Sequence, residues 1–296
     1  MKKLLCGVAT LLSLYSFAQE DSVRLAANDS LPPSDTLTNN VAHNKPLSGQ
    51  PVYKLKPAVD IPLFVANAAW CSYTFSKIYS KDPPGEEKIL SLDVNDINWF
   101  DRWAVRPHSQ KVSDQSDYIF YGSMVLPAFF LITKETRKDV FKLAFLYLEA
   151  MSVTGILYTS SVYFTNRFRP YAYSDETPME WRNRGGAQNS FYAGHVALVA
   201  TSTFFMAKVY SDYNPGSKAN WVLFSVAGLA TGTMAYLRYR GGFHFPTDLL
   251  LGVAQGTLTG ILVPHFHKNP LIKNPNVKVT PYISRESKGV ALVYKF

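Results

Sequence analysis

The chain has 296 residues, room for one large domain or two small ones. Apolar residues make up 47% and charged residues 18%, below the roughly 25% of soluble domains, which excludes disorder for the bulk of the chain. A net charge of +8 without any Lys/Arg run points away from nucleic acid and toward a basic site or an anionic surface, and two cysteines, Cys6 and Cys71, exclude a disulfide framework.

Lys2 and Lys3 precede an apolar run, Leu4 to Tyr15, and Ser16-Phe17-Ala18 follows. Residues 1–18 therefore read as a secretory signal peptide, with an uncleaved anchor as the other reading. The implied setting is a cell envelope, with the protein in the membrane or the periplasm. Residues 19–58 are rich in Asn, Asp, Ser, Pro and Thr, with Tyr53 as the only aromatic, and read as a disordered linker.

From Ile61 onward apolar blocks recur at 61–79, 118–133, 140–164, 195–210, 221–237 and 248–266. Such lengths suit helices, because strands rarely exceed about ten residues. The expected fold is an all-α domain over 59–267, a six-helix bundle. Its blocks are apolar enough for a membrane core, though a tightly packed soluble bundle would read the same way. Gly228 and Gly232, and Gly252, Gly256 and Gly260, would let helices approach closely. Basic loops at 134–142 and 208–218, with the basic tail, fall on one face of six spans, and 165–194 and 238–247 on the other. A cleaved signal conflicts with that orientation. In the tail, 268–296, two alternating pieces around Arg285-Glu286-Ser287-Lys288 read as a β-hairpin.

Three stretches carry chemistry, all at helix ends on one face of the bundle. Asn166-Arg167-Phe168-Arg169-Pro170 sets two arginines after a long apolar helix, the residue type for bidentate phosphate recognition, though a basic helix end would look similar. Ser190-Phe191-Tyr192-Ala193-Gly194-His195 opens the next helix, whose first N–H groups favour an anion close to Gly194. In Arg238-Tyr239-Arg240-Gly241-Gly242-Phe243-His244-Phe245-Pro246-Thr247-Asp248, His244 and Asp248 stand four apart. The Asp248 carboxylate could then accept one imidazole N–H and leave the other nitrogen free to attack. Fixed positive charge, a nucleophile and a leaving-group acid are the needs of phosphate chemistry, and all three can be met without a metal or other cofactor.

Together the stretches resemble the signature of the type 2 phosphatidic acid phosphatase and vanadium haloperoxidase superfamily over about residues 60–266. The family's Lys, six residues, Arg-Pro is matched by Arg169-Pro170. Its Pro-Ser-Gly-His is matched by Gly194-His195. Its Ser-Arg, five residues, His, three residues, Asp is matched by Arg238, His244 and Asp248. The family's Lys is Val162 here, its Pro and Ser are Tyr192 and Ala193, and the Ser before Arg238 is Leu237. The resemblance implies that Arg169, Arg238 and the Gly194 amide hold the phosphoryl group. His244 would attack phosphorus, Asp248 would orient it, and His195 would protonate the leaving oxygen. Arg167 and Arg240 are the expected substitutes for the missing Lys charge. The implied activity is a metal-independent phosphatase of lipid phosphates, with the membrane and a lipid phosphate as partners. The alternatives are a soluble periplasmic acid phosphatase with small substrates and a non-catalytic envelope protein that binds phospholipid.

Overall fold

A computed structural model describes residues 51–269, 277–283 and 288–294. The signal peptide and most of the expected linker lie outside the described residues. The chain is mostly helical, in the order α1 (Pro57–Tyr79), α2 (Glu86–Leu90), α3 (Trp99–Arg102), α4 (Gln110–Met124), α5 (Lys134–Lys138), α6 (Val140–Phe164), α7 (Met179–Arg182), α8 (Gly194–Tyr213), α9 (Ala219–Arg240) and α10 (Pro246–His267). Strands β1 (Val277–Ile283) and β2 (Lys288–Tyr294) pair antiparallel, Val277 opposite Tyr294.

Two boundaries differ from the sequence expectation. The apolar block 118–133 is not one helix. α4 starts eight residues earlier, on the polar run from Gln110 to Asp117, and stops at Met124. Pro127 lacks an N–H and cannot continue it, so residues 126–131 tighten into a 3₁₀ turn. At the start of the domain, the last residues of the expected linker are folded. Val52 and Tyr53 are buried, the Tyr53 hydroxyl donates to Asp212 at 2.8 Å, and the backbone of 52–54 pairs with 267–269.

α8 runs through the middle, packed against α4, α6, α9 and α10. Its polar side chains are satisfied across helix boundaries. Thr201 meets Thr154 at 2.7 Å, and Ser202 meets Tyr147 at 2.9 Å and donates to the Ser123 carbonyl at 2.6 Å. The outer helices turn apolar side chains outward: Ile61, Val65 and Phe75 on α1, Phe141 and Leu148 on α6, Trp221, Val226 and Leu229 on α9, Leu250 and Leu258 on α10. α6 and α10, with 25 and 22 residues, are long and apolar enough to cross a membrane.

α8 and α10 approach each other closely. A β-carbon on Gly252 would stand 2.7 Å from the Ala193 carbonyl oxygen, and one on Gly260 would stand 2.6 Å from that of Thr201. One on Gly256 would press still harder on the Ala197 oxygen. Spaced every four residues, these glycines form one face of the helix and let the two backbones touch. Gly228 and Gly232, expected to act in the same way, face open space. Gly256→Ala should therefore lower stability by about 1–3 kcal/mol through overpacking, whereas Gly228→Ala should leave it unchanged or raise it slightly. Thermal unfolding of the two variants checks this; equal effects would show that the seam does not constrain packing.

Candidate active site

The three chemical stretches meet at one end of the bundle, where α6 and α9 end and α8 and α10 begin. Past Phe164 the chain is extended. Thr165 has φ −123° and ψ 150°, and Arg169, before Pro170, has φ −76° and ψ 155°. That is the backbone region a proline imposes on its predecessor. The segment is pinned by Arg169 N–H donating to Ala187 O at 2.8 Å and Ser190 N–H donating to Arg167 O at 3.0 Å. At the far side Gly242, with φ +76°, turns the chain from α9 into the Phe243-His244-Phe245 segment, and Pro246 starts α10.

His244 is almost fully buried, and its Nδ1 lies 2.7 Å from the Ser190 carbonyl oxygen. A carbonyl only accepts, so Nδ1 carries the proton and Nε2 keeps its lone pair. This differs from the expected contact, because the Asp248 carboxylate does not receive the His244 N–H. It accepts instead from Ser190 Oγ at 2.6 Å, from Phe245 N–H at 3.0 Å and from Arg167 Nη1 at 2.5 Å. As the third residue of α10, Asp248 folds back on the N–H of Phe245, the residue that caps the helix, the low-energy place for a carboxylate there. Ser190 thus joins the two, its hydroxyl on Asp248 and its carbonyl on His244. Burial first, and then the charges of Arg169 and Arg238, hold the His244 imidazole well below its ordinary value, against the pull of the Ser190 carbonyl.

Arg167 does not take the expected place as a substitute for the missing Lys. Its guanidinium bridges two fully buried carboxylates, Asp248 and Asp101 (2.7 Å), donates to Thr247 Oγ1 at 3.0 Å and lies over the Phe245 ring at 4.5 Å. With two anions already bound, it has little left for a third. Asp101 also accepts from Asn98 Nδ2 at 2.7 Å and from the Thr247 N–H and hydroxyl at 3.0 and 2.5 Å. Burial would raise its carboxyl, but these donors outweigh it and hold the group below the ordinary value. Arg240 is a second departure. Two positions from Arg238 on a helix is about 200° of rotation, and Arg240 is exposed.

Arg169 and Arg238 both approach the Phe243 ring, at 5.4 and 4.1 Å. Arg169 donates to the Gly186 and Phe243 carbonyls at 2.9 and 3.2 Å, which aims it. Arg238 is buried, donates to Ser116 Oγ at 3.2 Å, and has a buried Nε without a hydrogen-bond partner among the described residues. Gly194, the first residue of α8, is pressed by the Tyr158 ring; a β-carbon there would stand 2.5 Å from it. His195 follows, with the Phe120 ring 4.8 Å away.

Asp101, His108 and Lys81 carried no signal in the sequence, and Ser190 entered only as the first residue of its stretch. Asp101 and Ser190 hold Arg167 and Asp248. His108 stacks on Trp181 at 3.9 Å and meets Phe243 edge-on at 5.2 Å. Its imidazole is held below the ordinary value by burial and then by Arg184, Arg169 and Arg238. Val162 is buried, and the cation at this end of α6 is Lys81, whose ammonium donates to the Val162 and Thr165 carbonyls at 3.0 and 3.1 Å.

Arg167→Ala should leave two buried carboxylates facing each other and cost about 3–5 kcal/mol of stability. Arg167→Lys should recover little, since a point charge cannot fork between two acceptors. Adding Asp101→Asn to Arg167→Ala should restore part of the loss. An unchanged melting temperature in Arg167→Ala would return the residue to a role in phosphate binding.

Residues 143–271 match the family model of the PAP2 superfamily. Among solved structures, a transmembrane PAP2 type phosphatidylglycerolphosphate phosphatase from Bacillus subtilis aligns at 17% identity with a TM-score of 0.39. That alignment covers 70% of this chain and 94% of that one, a likeness too distant to argue from. No curated protein matches. The matched stretch contains all three chemical stretches, and over residues 143–271 the chain is similar to the PAP2 superfamily.

Proposed function

We propose that the protein is a metal-independent phosphatase that hydrolyses phosphomonoester or pyrophosphate groups of lipid phosphates through a phosphohistidine. The observation that carries this reading is the pairing of an anion-receptive cradle with a tautomer-locked imidazole. Arg238 holds a buried donor without a partner among the described residues beside Arg169, and the charges of both act on His244, whose Nε2 lone pair is free. Two converging guanidiniums repel each other, and a phosphoryl group between them would remove that repulsion.

The steps follow from these positions. Arg169, Arg238 and the first N–H groups of α8 bind the phosphoryl oxygens. His244 Nε2 attacks phosphorus, the bond to the leaving oxygen breaks, and His195 supplies the proton that oxygen takes up. The Ser190 carbonyl keeps the Nδ1 proton and stabilises the positive charge that develops on the ring. Asp248 acts one residue removed, by fixing Ser190. A water then gives its proton to His195 and attacks phosphorus, the P–N bond breaks, and inorganic phosphate leaves.

The lipid character of the substrate is supported by the outward apolar faces of α1, α6, α9 and α10. An apolar groove of about 320 Å³ also lies at the start of α10, lined by Phe100, Trp103, Tyr236, Tyr239, Leu249 and Leu250. A phosphorylated head group in the cradle would have apolar surface within reach for its chain. The bundle would then sit in the membrane of the cell envelope.

His244→Ala should lower turnover by more than about 10³-fold while the protein stays folded, and acid-labile, base-stable ³²P trapped on the wild-type chain should vanish. Ordinary turnover in that variant would remove His244 as the nucleophile. The nucleophile must be neutral, and His244 sits well below the ordinary value of 6.5. The acid limb of kcat/KM on a soluble phosphate ester should therefore fall below pH 6.5. A limb at or above 6.5 would contradict the burial and charge acting on that ring.

A further inference from the structure

At the opposite end of the bundle three ligand-type side chains converge from three helices. Asp60 comes from the first turn of α1, Glu149 from the first half of α6 and His267 from the last turn of α10. One ligand atom from each lies within 4.8 Å of the others, and all three residues are buried. They are separated by 89 and 118 positions in the chain, so no sequence spacing announces them.

The imidazole is oriented. His267 Nδ1 lies 2.8 Å from the Val263 carbonyl oxygen, one helical turn back, which only accepts. Nδ1 thus carries a proton, and the ring turns its Nε2 toward the acids. Nε2 stands 3.5 Å from Asp60 Oδ2 and 3.5 Å from Glu149 Oε2. An imidazolium bridging two carboxylates would draw them in to about 2.7–2.9 Å, the length of a charge-assisted hydrogen bond. A distance of 3.5 Å to both is too long for that. It is the separation of two ligands of one tetrahedral ion: bonds of about 2.1 Å at a tetrahedral angle put neighbouring ligand atoms about 3.4 Å apart. A ligand histidine that gives its other N–H to a backbone carbonyl, and a carboxylate held by a further donor, are the usual supports of a metal centre. Here Asp60 Oδ2 also accepts from the Lys56 N–H at 2.6 Å.

We infer that Asp60, Glu149 and His267 form a binding site for one divalent transition-metal ion, zinc by the tetrahedral spacing. The ion ties α1, α6 and α10 together. It takes no part in phosphate chemistry, because α10 carries Asp248 in its first turn and His267 in its last, about 30 Å of helix apart. The inference does not depend on the phosphatase reading.

The test uses the full-length chain purified in detergent without chelator. Elemental analysis after dialysis should give about one zinc per chain. EDTA should lower the melting temperature by at least about 5 °C, and added ZnCl₂ should restore it. Glu149→Gln should lose both the bound zinc and the response to ZnCl₂. His244→Ala should keep both, which separates this site from the histidines of the phosphate end. The site is refuted if the wild type holds no stoichiometric transition metal and its melting temperature is indifferent to EDTA and zinc. It is equally refuted if Glu149→Gln binds zinc as the wild type does. If Glu149→Gln does not fold, the wild-type metal content and melting temperatures decide alone.

Discussion

The arrangement of the candidate active site rests on one guanidinium between two buried carboxylates. Asp101 and Asp248 are fully buried, and neither could stay ionised there without a counter-charge. Arg167 reaches both because it lies on extended chain between α6 and Pro170, so its side chain can cross to the start of α10. Asp101 then fastens α3 to the Thr247 backbone and hydroxyl, and Asp248 fastens Ser190. Three segments distant in sequence are held in one register by a planar fork that only arginine offers.

That register sets the chemistry. With Asp248 engaged by Arg167, the Phe245 N–H and Ser190 Oγ, its carboxylate is not available to His244, and the Ser190 carbonyl takes the imidazole proton. The tautomer is the one a nucleophilic Nε2 needs, reached by a neutral dipole rather than a full charge. A ring held this way is less basic than one on a carboxylate, in keeping with the downward push of burial and of the two cradle arginines.

The helical class was legible because long apolar blocks separated by prolines and charges have few other solutions. The polar first half of α4 was not, since Gln110 to Asp117 has no apolar run to find. The three chemical stretches were legible as local patterns, and they do lie at one end. What each side chain touches was not. Arg167 and Arg169 share a spacing that suits a phosphate cradle, yet one crosses to Phe245 and two aspartates while the other stays with Phe243. Arg240 shares a stretch with Arg238 but lies on the far side of α9. Asp101, Ser190, His108 and Lys81 act here through Arg167, Asp248, Phe243 and Thr165, each 58 or more positions away, and no spacing rule reaches that far.

Because α10 is the last of the described helices, the order of synthesis acquires weight. It contributes the glycine face that touches α8, Asp248 at one end and His267 at the other. A nascent chain that has not yet delivered it has Asp101 beside Arg167, a neutral pair able to wait. It also has Asp60 and Glu149, two anions with nothing from α10 between them. Neither end can close, and α8 keeps one side bare, until α10 itself emerges. Assembly should therefore wait for α10 and then be abrupt, with a partly made chain relying on its surroundings to cover α8.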